Sequence, residues 1–186
     1  MVRSDIGASG VMFTLDTESG FRDVVSITAA YGLGENVVQG AVNPDEFTVH
    51  KPTLRNGFRP ILKRQLGSKA LRMVYDHANG NATKNEIVNT ADQKQFAISD
   101  DEIIELAKQA LVIEDHYGCA MDIEWARDGV TQQLFIVQAR PETVHASRNV
   151  LLQDVYRLES KSRVLTQGKS IGQRIGAGAV RIIKDK

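Results

Sequence analysis

Along residues 1–143 the apolar and polar positions fall mostly into short extended runs, broken once by a long helical stripe. Residues 9–14 form an apolar run entered through Gly7 and Gly10, which predicts a buried strand. Residues 15–20 carry turn chemistry, and 23–31 predict the second strand of a hairpin. Residues 46–51 alternate as a strand that ends at Pro52. Residues 55–64, interrupted by Gly57 and Pro60, predict a surface loop leading to a strand over 61–66. Two further strands are predicted at 69–75 and 85–90, around a polar turn at 77–81. Ser99 and Glu102 have the spacing of a capping box, and Ile103, Leu106, Ala107, Ala110 and Ile113, with Leu111 beside them, draw one apolar stripe as far as Gly118.

The runs at 121–126 and 134–140 alternate with period two and flank Asp128-Gly129, a strong reversal signal. Side chains two apart on a strand share a face, so Asp122 points with Glu124 and Gln138 with Arg140. In a simple antiparallel hairpin with a loop of about five residues, Asp122 falls opposite Arg140 and Glu124 opposite Gln138. A slip of one residue would scatter the set to opposite faces. Ile123, Trp125 and Ile136, with Val137 and Phe135, supply the apolar contacts. Two readings fit this pattern. One is a half-solvated hairpin whose polar face pairs charges. The other is a magnesium-nucleotide platform, because carboxylate and amide oxygens are the hard ligands Mg²⁺ takes and an arginine fork suits phosphate oxygens.

Composition narrows the class. The chain has 186 residues, 42% hydrophobic and 25% charged, which is ordinary for a globular protein able to bury a sizeable core. Lys plus Arg and Asp plus Glu both number 23, so no global field favours nucleic acid or an anionic membrane. Arg55, Arg59, Lys63, Arg64, Lys69 and Arg72 gather in sequence, but with only Phe58 interleaved they read as a solvated face. The lone Cys119 excludes an internal disulfide framework, and a reducing cytoplasm is the expected compartment. No apolar run approaches the ~20 residues of a membrane helix. His50, His77, His116 and His145 lack metal-ligand spacing and read as structural or surface residues. Gly32 to Gly40 is a glycine-rich entry to a short helix that matches neither the Walker A pattern nor the dinucleotide fingerprint. It reads equally well as a tight turn packed on a sheet, with Glu35 capping the helix.

After Thr143 the composition changes. Residues 147–149 predict a linker, and 151–158 and 164–183, punctuated by glycine, predict the opening strands of a different β-rich unit whose core is incomplete. Both ends read as cut from something longer. The expected division is residues 1–146 as one partial domain and 147–186 as linker and the truncated start of the next.

Four strings are more specific: S-D-I-G-A-S-G-V-M-F-T at 4–14, Y-G-L-G-E-N-V-V-Q-G-A-V-N-P-D-E-F at 31–47, M-D-I-E-W-A at 121–126 and F-I-V-Q-A-R-P-E-T at 135–143. They closely resemble the dikinase family, and the second string points within it to the phosphoenolpyruvate synthases, or pyruvate, water dikinases. The resemblance covers essentially the whole chain. It implies an α+β fold, the second half of an ATP-grasp domain built on an antiparallel sheet with helices, followed by the first strands of a swivelling phosphohistidine domain. It implies Mg²⁺ with ATP as substrate. Glu124 and Gln138 match positions that hold Mg²⁺ and the phosphates, Arg140 a phosphate-binding arginine, Asp122 a supporting carboxylate and Glu35 a position of the glycine-rich motif. In the family ATP phosphorylates a histidine in a G-G-x-T-C-H motif, which then reaches pyruvate in a barrel domain. That motif, the barrel and the first ATP-grasp half have no counterpart here. A fragment that binds ATP, meets pyruvate through other domains of the same polypeptide, and does not turn over alone is therefore expected, with homodimerisation of the intact enzyme left open. Two alternatives stand beside it: a related dikinase using phosphate, a glucan or an antibiotic, and a noncatalytic nucleotide-binding module.

Overall fold

Period-two alternation becomes eight strands in the computed structural model, which describes residues 1–76 and 82–143, with 160, 163–166, 176–179 and 181. The strands are β1 (Ala8–Phe13), β2 (Val24–Tyr31), β3 (Asp45–His50), β4 (Ile61–Gln65), β5 (Leu71–Tyr75), β6 (Thr83–Ile87), β7 (Met121–Arg127) and β8 (Leu134–Pro141). The helices are α1 (Glu35–Val38), α2 (Lys51–Arg55), α3 (Thr90–Gln93) and α4 (Asp100–Tyr117). Six strands form one antiparallel sheet in the order β4-β3-β2-β1-β7-β8, and β5 pairs with β6. Strand β1 thus lies between its hairpin partner β2 and the distant β7, with Val11 opposite Glu124 and Phe13 opposite Asp122.

Alternation makes the two faces of this sheet different. Met12, Ile27, Phe47, Ile123 and Trp125 point to one face, where Ile103, Leu106, Ala107 and Ala110 of α4 close the core. Each large apolar side chain buried this way contributes about 2 kcal/mol. The opposite face carries Val11, Phe13, Thr28 and Thr48 beside Asp122 and Glu124. Helix α4 starts where expected: Ser99 Oγ accepts from Glu102 N at 3.3 Å, and the Glu102 carboxylate accepts from Ser99 N at 2.7 Å. It stops at Gly118, whose φ of 66° is the left-handed conformation that closes helix C-termini.

Several sequence expectations change in the structure. β3 ends at His50, and Lys51 opens α2 rather than finishing the strand, because Pro52 in the first helical turn has no N–H to lose there. Lys69 is no part of a solvated face or of β5: it is fully buried, and its Nζ donates to Asp45 Oδ1 at 2.6 Å. β6 runs earlier than the expected strand, since Asn89 accepts from Asp92 N at 2.8 Å and caps α3 instead. The turn at 77–81, the linker at 147–149 and the strand at 151–158 lie outside the described residues, as does most of 164–183. No helix among the described residues is long and apolar enough to cross a membrane.

Candidate functional site

Strands β7 and β8 pair with Asp122 opposite Arg140 and Glu124 opposite Gln138, as the alternation predicts. The apolar positions explain how this register coexists with a core. Ile136 and Ala139 both pack against the core that Ile123 and Trp125 enter. Their odd spacing cannot be met by an unbroken strand, in which Ile136 would share a face with Gln138. The register shifts between Glu124 and Trp125, so that Trp125 meets Ile136 and Val137 is the extra residue of a β-bulge. Ile136 is thereby returned to the core while Gln138 and Arg140 keep the opposite face. Val137 and Phe135, expected as apolar contacts, are exposed instead. The connection over 128–133 is correspondingly longer than that of a simple hairpin.

The far end of the hairpin is pinned. Asp128 Oδ2 accepts from Arg3 N at 2.8 Å, and its Oδ1 accepts from Val130 N at 2.8 Å and Thr131 N at 2.9 Å. These backbone donors, Arg3 foremost, lower the Asp128 carboxyl to about 2. Gly129 N donates to Arg3 O at 3.0 Å, an approach so close that a Cβ on Gly129 would sit 2.4 Å from Ile6 O.

At the site itself Arg140 Nε donates to Asp122 Oδ2 at 2.8 Å, and Arg140 Nη2 lies 2.8 Å from the same oxygen. The hydrogen bond to Asp122 holds the guanidinium above its ordinary range. Asp122 is buried, whereas the Arg140 side chain is 63% exposed and reaches solvent. Glu124 is half-buried between Val11 and Gln138, and neither Glu124 nor Gln138 has a side-chain hydrogen bond or ion pair among the described residues. Glu35 lies on α1, exposed, and accepts from Gln39 Nε2 at 2.8 Å. α1 sits against the end of β1, where Ser9 Oγ donates to Gly32 O at 2.6 Å. Glu35 and Val38 from α1 and Glu124 and Val137 from the hairpin line one pocket of about 350 Å³. Asp122 and Arg140 lie farther along the same face, toward Pro141.

The structure therefore brings Glu124, Gln138, Asp122 and Arg140 together on one hairpin face and places Glu35 and Glu124 in the lining of one pocket. Sequence reasoning missed the other walls, Ser9 and Ala126 among them. They are register partners on β1 and β7, and no local pattern records a contact between such distant parts of a chain. Among the described residues no group of three or more His, Cys, Asp or Glu could hold a metal. Mg²⁺ does not need one, since it commonly takes one or two carboxylates and completes its shell with phosphate oxygens and water. Glu124, which has no hydrogen bond or ion pair among the described residues and lies opposite Gln138, fits that requirement.

The amino-acid sequence matches one family model, described as the pyruvate phosphate dikinase AMP/ATP-binding domain, over residues 1–158. The chain belongs to this family. Phosphoenolpyruvate synthase of Pseudomonas aeruginosa is 62% identical over 187 residues, covering 100% of this chain and 24% of the relative. That of Escherichia coli is 55% identical over 187 residues, with 100% and 23% covered. Probable phosphoenolpyruvate synthase of Pyrococcus abyssi is 35% identical over 189 residues, with 100% and 22% covered. The chain spans about a quarter of the length of the curated relatives it matches. The β7–β8 hairpin of this AMP/ATP-binding domain lies wholly within the matched stretch.

Proposed function

We propose that the face formed by β7 and β8 is the Mg·ATP half-site of an ATP-grasp domain, and that the intact protein is a phosphoenolpyruvate synthase. The observation that carries the site is the register itself, which sets Glu124 opposite Gln138 and Asp122 opposite Arg140 on the face away from the core. Glu124 and Gln138 offer oxygens to the cation, and the exposed guanidinium of Arg140 offers paired N–H donors to phosphate oxygens. Asp122 orients Arg140, and Glu35 faces the nucleotide from α1. Mg²⁺ bound there supplies charge neutralisation on the triphosphate. Phosphoryl transfer is accelerated chiefly by positioning and by neutralising charge, which is what these side chains are arranged to do.

The whole reaction on this reading converts ATP, pyruvate and water to AMP, phosphoenolpyruvate and phosphate in the cytoplasm, through a phosphohistidine. This chain contributes the ATP-binding part, and pyruvate is met by other domains of the same polypeptide. Phosphoenolpyruvate formed from ATP and pyruvate by this chain alone would contradict that division of labour. Support for the synthase comes from the family match and the high identity to phosphoenolpyruvate synthases. The site is tested by titrating Mg·ATP into the chain by calorimetry beside a Glu124→Ala, Arg140→Ala double variant. Saturable binding weakened at least about tenfold in the variant is the expected result. Binding that survives both substitutions would remove the assignment.

A further inference from the structure

The Asp122–Arg140 pair is lopsided. Arg140 Nε and Nη2 both address Oδ2, each at 2.8 Å, and Asp122 Oδ1 accepts no hydrogen bond from the described residues. That carboxylate is on the face of Glu124, two residues away on the same strand, and Glu124 makes no hydrogen bond or ion pair among the described residues, its charge bearing on Arg140 from a distance. The arginine expected to clamp a phosphate is thus already engaged by an anion of the protein. Withdrawing it toward a ligand would leave the buried Asp122 charge uncompensated, a costly outcome for any buried carboxylate.

We propose that Asp122 is a specificity-determining residue, an internal stand-in for phosphate that releases Arg140 only when a divalent cation arrives to compensate its charge. The inference rests on the Mg·ATP reading of this face and adds a rule to it: the site discriminates metal-bound triphosphate from metal-free triphosphate. Without the cation, an incoming polyanion meets Glu124 and Asp122 as like charges and must also break the Asp122–Arg140 pair. With the cation, Asp122 Oδ1 and the free Glu124 carboxylate face a positive charge, and Arg140 can turn to the phosphate oxygens at little loss.

The test compares the chain with Asp122→Asn and Asp122→Glu, using tripolyphosphate as the probe, either with excess chelator or with Mg²⁺. The readout is the Arg140 Nε–H resonance together with the apparent Kd. In the unsubstituted chain this proton should be protected from exchange. It should respond to Mg²⁺·tripolyphosphate, with at least about tenfold weaker response to the metal-free anion. Asp122→Asn should close most of that gap by tightening metal-free binding, and Asp122→Glu, which keeps the charge, should preserve it. An Asp122→Asn chain that binds metal-free tripolyphosphate no tighter than the original, silence in both included, overturns the proposal. Should Asp122→Asn not fold, the unsubstituted chain decides, because an equal response with and without metal overturns it as well. A chain that shows the gain toward tripolyphosphate but binds Mg·ATP equally well after Glu124→Ala would retain the stand-in and lose the nucleotide half-site, so the two failures are distinct.

Discussion

Asp45 and Asp122 are both buried, both engaged by a cation, and placed on opposite faces of one sheet, yet their surroundings differ in kind. Asp45 lies on the core side with Phe47 and accepts from Lys69 Nζ at 2.6 Å, Ala97 N at 2.8 Å and Gly67 N at 2.9 Å. Lys69 is itself inaccessible and returns hydrogen bonds to the Gly67 and Gln93 carbonyls. Every strong donor and acceptor in that group is spent on the protein. Asp122 uses one oxygen on a guanidinium that is mostly in solvent, next to Glu124, which makes no hydrogen bond or ion pair among the described residues. A saturated buried pair specifies structure, because its members have nothing left to offer a ligand. An unsaturated pair at an exposed face keeps donors and acceptors in reserve, as a binding site requires.

The largest effect should come from breaking the saturated pair. Asp45→Ala strands the Lys69 ammonium in the interior and orphans two backbone donors, so urea unfolding should show a loss of about 3–5 kcal/mol. A loss no larger than that of an ordinary surface substitution would erase the contrast. At the open face the balance reverses: Glu124→Gln should leave stability within about 0.5 kcal/mol, because Glu124 has no hydrogen bond or ion pair to lose and only a solvent-screened attraction to Arg140, and Mg·ATP affinity in calorimetry should fall at least about tenfold. A destabilised Glu124→Gln chain with intact binding would invert the assignment of roles.

Asp128 sharpens the comparison because it is saturated by backbone donors but serves the site indirectly, fixing the end of the hairpin that carries it. Its folded carboxyl is lowered to about 2, below the ordinary value of about 3.9. The stability it contributes is present above about pH 4 and is lost as pH falls toward about 2. Acid unfolding followed by circular dichroism should therefore be shallower across that window in Asp128→Asn. The smallest effect is expected at Arg55 and Asp115, whose side chains are 49% and 56% exposed. Solvent screens such a pair, and Arg55→Ala should leave the thermal midpoint unmoved within error.

Much of the candidate site's arrangement could be read in advance because its geometry is local. Strand period, the Asp128-Gly129 reversal and the hairpin arrangement set which of Asp122, Glu124, Gln138 and Arg140 share a face, and these depend on residues close in the chain. The same local logic located α4, since a capping box, an apolar stripe and a terminal glycine act within a few turns. It failed where a residue's fate depends on distant neighbours. Lys69 looks like any surface lysine until Asp45, Gly67 and Gln93 surround it. Lys51 looks like the last residue of an alternating strand until Thr14 and Glu114 meet its Nζ.

The amino-acid sequence by itself determined the alternation of the strands, the start and stop of α4, the four polar side chains of the hairpin and the family to which the chain belongs, because each is written in neighbouring residues or in motif identity. Tertiary structure alone decided that β1 inserts between β2 and β7, that Val137 bulges so that Ile136 and Gln138 face opposite ways, and that α1 brings Glu35 to the pocket beside Glu124. These features arise from competition among distant apolar groups for one core. Its outcome is settled only when the whole sheet and α4 pack together.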